Sequence, residues 1–132
     1  MNMYYVWVAL FGVLGALCRY LTGVWIVSPG FPLATLIINI VGCFLLAIVM
    51  KYLAELPYIS KTIITALGTG FVGSFTTFST FSLESIQLIE KHWYGTAALY
   101  IGASLIGGLL SSRFGFYVSE QWMNRRRNRH AH

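Results

Sequence analysis

Charge is absent from most of this sequence. Arg19 is the only charged residue before Lys51, none occurs from Thr62 to Leu83, and none from Trp93 to Ser112. A membrane-spanning helix needs about 20 mainly apolar residues, and the charge-poor regions supply four such stretches, 4–27, 33–53, 62–90 and 93–117. The connectors between them are a few residues long, so the sequence predicts an all-α integral membrane protein, one transmembrane domain over 1–124 with a basic tail over 125–132. Composition agrees: 10% of residues are charged, against about 25% in soluble chains. The apolar N-terminus does not read as a cleavable signal. It lacks a preceding positive charge and a small-residue cleavage site, and its apolar run exceeds the usual 7–15 residues. Cys18 and Cys43 lie inside predicted spans and are expected to be buried thiols rather than a disulfide pair.

Small residues four apart, Gly12/Ala16, Ala98/Gly102, Ala103/Gly107, Ser104/Gly108 and Ser111/Gly115, favour close helix association within or between subunits. For four spans, Lys51, Lys61, Arg113, Arg125, Arg126, Arg127 and Arg129 fall on one side and Lys91 alone on the other. Because cytoplasmic flanks carry the excess of Lys and Arg, both termini are expected in the cytoplasm of a plasma-membrane protein. The arginine cluster beside a span suits contact with anionic membrane lipid rather than nucleic acid.

Polar groups inside a bilayer are costly and mark function. Here they are Arg19, Asn39, Ser104 and a run of five hydroxyls, Thr76, Thr77, Ser79, Thr80 and Ser82, interleaved with Phe75, Phe78 and Phe81 at a spacing that predicts one helix side. The third stretch is also too long. Its 29 residues would make about 44 Å of helix against a hydrocarbon core of about 30 Å. Gly68, Gly70 and Gly73 precede the hydroxyls, which predicts a break near 73–77 whose freed carbonyls could line a cavity or hold a small cation.

The chemistry on offer is donors without acids. Glu84 and Glu90 come late in the third stretch, and Glu55 and Glu120 lie at span ends, so a four-helix multidrug exporter, which needs a central carboxylate, fits poorly. The Asn39 amide, the hydroxyls and the positive edges of Phe rings suit a small hydrated anion. Arg19 is open to two readings, anion attraction or a structural brace to helix-end carbonyls. An accessory membrane protein, with the Phe and hydroxyl run serving only as packing, is the other alternative.

Three strings, Gly12-Val13-Leu14-Gly15-Ala16-Leu17-Cys18-Arg19-Tyr20, Thr35-Leu36-Ile37-Ile38-Asn39-Ile40-Val41-Gly42 and Gly70-Phe71-Val72-Gly73-Ser74-Phe75-Thr76-Thr77-Phe78-Ser79-Thr80-Phe81-Ser82, resemble the small fluoride channels called Fluc or CrcB. The resemblance implies an antiparallel dimer with two narrow pores that passively export cytoplasmic fluoride, with no enzymatic step. It also implies roles: Asn39 as a pore donor, Phe78 and Phe81 as an aromatic box, and Ser79, Thr80, Tyr100 and Ser104 as a polar track. Carbonyls of Gly73 and Thr76 from both subunits would hold a structural sodium ion. Ala47 stands where the family commonly has glycine, a change expected to affect packing. The seven-to-one charge bias favours a single orientation, so the expected partner is either a second copy or a related subunit of opposite bias.

Overall fold

A computed structural model describes residues 2–131. Among these residues every regular element is helical, and they run α1 (Met3–Trp25), α2 (Leu33–Lys51), a short 3-10 turn at Leu53–Glu55, α3 (Lys61–Ala66), a π-helical turn at Leu67–Val72, α4 (Gly73–Phe75), α5 (Phe78–Glu90) and α6 (Tyr94–His130). Local chemistry sets the boundaries. Asn2 accepts a hydrogen bond from Tyr4 N at 3.2 Å to open α1, and the Ser60 hydroxyl accepts from Ile63 N at 3.3 Å to open α3, each satisfying a first-turn donor that has no helical acceptor. The first connector carries Pro29 and Pro32, which cannot continue a helix, and Gly30 with φ of 82°, a conformation that glycine adopts without penalty.

Three helices, Met3–Trp25, Leu33–Glu55 and Tyr94–His130, are long and apolar enough to cross a membrane. The intervening stretch from Lys61 to Glu90 is divided instead. Thr76 (ψ 161°) and Thr77 (φ −149°, ψ 119°) are extended and separate α4 from α5.

Close packing explains the small residues. Helix α2 lies along α6, while α1 packs on α3, the π turn and α4. A Cβ on Gly115 would come within 2.7 Å of the Ala47 Cβ and 2.9 Å of the Phe44 carbonyl, and one on Gly107 within 2.8 Å of Ile40. Ala47 therefore sits against a glycine of its own chain, buried at 3% exposure. On the other side a Cβ on Gly70 would approach the Val8 carbonyl within 2.7 Å, and one on Gly15 would collide with the Phe71 carbonyl. Gly102, by contrast, faces open space. Of the five spacings, the three ending at Gly107, Gly108 and Gly115 serve the α2–α6 contact inside the subunit.

The basic residues Arg125, Arg126, Arg127 and Arg129 occupy the last turns of a continuous α6, because nothing between Tyr117 and His130 breaks the helix; His132 lies outside the described residues. Two expectations need correction. Cys18 is exposed on the outer face of α1, whereas Cys43 is partly covered. The Phe75, Phe78 and Phe81 row is not one helix face, since the extended pair interrupts it. Phe75 stacks on Phe71, with centroids 6.1 Å apart, and Phe78 pairs with Phe81 at 6.0 Å.

Candidate functional site

The extended pair Thr76–Thr77 is held open by Asn39 of α2. The Asn39 amide nitrogen donates to the Thr77 carbonyl at 2.9 Å, and its Oδ1 accepts from Thr77 N at 2.9 Å. One primary amide thus supplies both bonds that a neighbouring peptide would offer. This has a consequence for the preceding turn. In a continuous helix Thr77 N would donate to Gly73 O and Thr80 N to Thr76 O; here Thr77 N goes to Asn39 and Thr80 N goes to the Thr77 hydroxyl at 3.1 Å. The carbonyls of Gly73 and Thr76 lose their helical donors. The Thr76 carbonyl accepts a long bond, 3.4 Å, from the Arg19 guanidinium, the one hydrogen bond that side chain makes among the described residues.

Thr77 then caps α5. Its hydroxyl donates to the Thr80 hydroxyl at 3.0 Å and lies 3.4 Å from that of Ser79. A 13-residue helix beginning in mid-segment brings the partial positive charge of its N-terminus and unspent first-turn N–H groups to this point. Phe78 is 80% exposed, and Ser79 and Thr80 are exposed beside it. A hollow of about 250 Å³ between Asn39, Leu46, Val72, Thr76 and Phe78 adjoins them.

Further along α5 the interior turns polar. Phe81 leans on Tyr100, with ring centroids 5.3 Å apart. Tyr100, fully buried in a small cluster with Leu88 and Ala97, donates its hydroxyl to Glu84 Oε2 at 2.7 Å. The Thr35 hydroxyl donates to Glu84 Oε1 at 3.0 Å. Ser104 returns its hydroxyl to the Tyr100 carbonyl at 2.7 Å, the ordinary back-bond of a hydroxyl in a membrane helix.

The structure thus brings Arg19, Asn39, Gly73, Thr76, Phe78, Ser79 and Thr80 together around one interruption and joins Phe81 to Tyr100 next to it. Ser104 follows Tyr100 by one turn of α6. Glu84 was passed over in the sequence because it falls late in its stretch. Its position three residues after Phe81 and four before Leu88 gave the signal, for that spacing puts it on the inward face of α5.

This geometry can be set beside known proteins. The family model described as CrcB-like protein, Camphor Resistance (CrcB), matches residues 6–116. A protein of Listeria monocytogenes serotype 4b named "Fluoride-specific ion channel FluC 2" is 46% identical over 127 residues, 96% of this chain and 98% of that one. One of Bacillus anthracis named "Fluoride-specific ion channel FluC 1" is 48% identical over 122 residues, 90% and 89% of the two chains. A match over that span of the family model, with relatives so similar across nearly their full length, shows that this multi-pass membrane chain belongs to the CrcB family.

Proposed function

We propose that this protein is a fluoride channel, a passive pathway rather than an enzyme, built from two oppositely oriented chains. The observation that carries this reading is the start of α5 inside a membrane segment, with the hydroxyls of Ser79 and Thr80 and the ring of Phe78 exposed around it. Fluoride is small and strongly hydrated, so a path through hydrocarbon must replace water with donors. Candidate donors are the hydroxyls of Ser79 and Thr80, the unspent N–H groups of the first turn of α5, and the second amide hydrogen of Asn39. The ring edges of Phe78 and Phe81 add weak positive potential without a fixed charge that would trap the ion. Tyr100 and Ser104 continue this polar line along α6.

A single chain leaves Phe78, Ser79 and Thr80 on its surface, where lipid could not satisfy the hydroxyls. A second chain, a copy or a related subunit, laid across this face would cover them and complete two pores. The same pairing suits a sodium ion. The Gly73 and Thr76 carbonyls are hard oxygens without helical donors, two from each chain, and unwound carbonyls of this kind are ligands for sodium in membrane proteins. When bound, the ion would supply a fixed positive charge that ties the two interruptions together. Arg19 then acts as a brace on the Thr76 carbonyl.

The test is efflux from liposomes carrying the purified protein, loaded with fluoride or with chloride and given a potassium shunt. Rapid fluoride loss with chloride retained is the expected result. Equal loss of both anions, or no loss even after a partner of opposite orientation is supplied, would overturn the reading.

A further inference from the structure

We propose that the end of α6 and the connector after α2 form a headgroup site for an anionic phospholipid, separate from the fluoride pathway. Helix α6 has 37 residues, about 55 Å, whereas the hydrocarbon core is about 30 Å thick. The excess lies at the basic end, since 93–112 carries no charge. Where the helix leaves the core, Trp122 meets Tyr52 edge-on at 5.3 Å, two aromatics of the kind that settle at headgroup level. One turn on, the Arg126 guanidinium sits 5.3 Å above the ring of Tyr58, which fixes a side chain that would otherwise be mobile.

Two adjoining hollows flank this stack. One, about 760 Å³, lies between Lys51, Glu55, Met123 and Arg127; the other, about 720 Å³, between Tyr58, Trp122, Arg125 and Arg129; Tyr52, Arg126 and His130 belong to both. Their walls carry five fixed cations, Lys51, Arg125, Arg126, Arg127 and Arg129, against the single carboxylate of Glu55. Guanidinium groups on a rigid helix can grip a phosphodiester in two-pronged fashion, and Leu56, Pro57 and Met123 give an apolar side on which glycerol and acyl carbons would rest. Charge complementarity at membrane-interface depth points to a lipid phosphate. On α6 the site begins at Trp122, 18 residues beyond Ser104, about 27 Å along the helix.

The experiment is a lipid titration of the full-length protein in neutral detergent, read by native mass spectrometry with phosphatidylglycerol, phosphatidylcholine and inorganic phosphate as separate probes. Phosphatidylglycerol is expected to bind in preference to phosphatidylcholine. R126Q/R129Q should weaken it about 25-fold, about fivefold for each arginine, while Arg113→Gln, on the same helix but outside the hollows, should change it less than about twofold. Should the first variant fail to fold, R125Q/R129Q leaves the Arg126–Tyr58 stack intact and carries the same expectation. Equal binding of the two lipids, or an equal loss in Arg113→Gln, would reduce the site to diffuse surface charge and overturn the proposal. Tight binding of inorganic phosphate, lost in the same variants, would make it a free-anion site and also overturn it.

Discussion

Asn39 spends its carbonyl oxygen and one amide hydrogen on the backbone of Thr77, so its chemistry can be separated from its size. Asn39→Asp keeps the acceptor, loses the donor and adds negative charge beside the proposed path. Fluoride efflux is expected to fall by about tenfold or more, because a fixed like charge in a narrow pore raises the barrier to entry. Thermal unfolding should show a loss of about 1–3 kcal/mol from the unpaired Thr77 carbonyl; unchanged efflux would remove Asn39 from the pathway. The two phenylalanines should part company in the same assays. Within the chain Phe78 is exposed, whereas Phe81 packs on Tyr100, so Phe81→Ile should cost the fold of the single chain about 1 kcal/mol and Phe78→Ile almost none, with efflux reduced in both. At this scale the sequence picked out Asn39, Thr76 and the aromatic pair from their rarity in apolar surroundings. It passed over Glu84, because position along a stretch says less about burial than the contacts of Thr35 and Tyr100 do.

The elements are arranged so that α2 supports the interruption from the side. A Cβ on Gly42 would collide with the methyl of Thr76, so Gly42→Ala presses directly on the extended pair. It is expected to destabilise the protein by about 1–3 kcal/mol, as overpacking does, and to lower efflux with it. Gly102→Ala is the control: its Cβ would meet nothing within 4 Å, and a helix gains up to about 1 kcal/mol from that exchange. Monodispersity and unfolding temperature of the two variants, measured side by side, check this contrast. If Gly42→Ala behaves like Gly102→Ala, the extended pair does not depend on α2. Glycine content directed attention to this part of the chain, but Gly68 and Gly70 lie in a π turn that keeps its hydrogen bonds. The residues that leave the helix are the two threonines, since Asn39 offers Thr77 a replacement partner.

At the scale of the whole molecule, the proposed pairing of opposed chains turns on how the chain inserts. Seven Lys and Arg against one predict insertion mainly one way. In a chain carrying Cys18→Ser and Cys43→Ala, a thiol introduced by Ala131→Cys should be labelled predominantly from one side of the membrane, which would call for a partner subunit of opposite bias. Equal labelling from both faces would show that the chain inserts both ways, as the proposed pairing of two copies requires. The sequence by itself determined the solvent, for long charge-free runs can satisfy their backbones in lipid only as helices, and it determined which rare polar residues such a chain carries. It could also be matched to a family through a local string around Thr76 and Thr77. The tertiary structure decided what those polar residues face. Bonds across 38 positions from Asn39 to Thr77, 57 from Arg19 to Thr76 and 49 from Thr35 to Glu84 depend on how helices lie against one another, which local periodicity does not encode. It likewise decided that α6 runs on to His130, turning a string of arginines into an ordered surface, because helix continuity is set by the absence of a breaker and by packing against the 52–58 connector rather than by the change from apolar to charged residues.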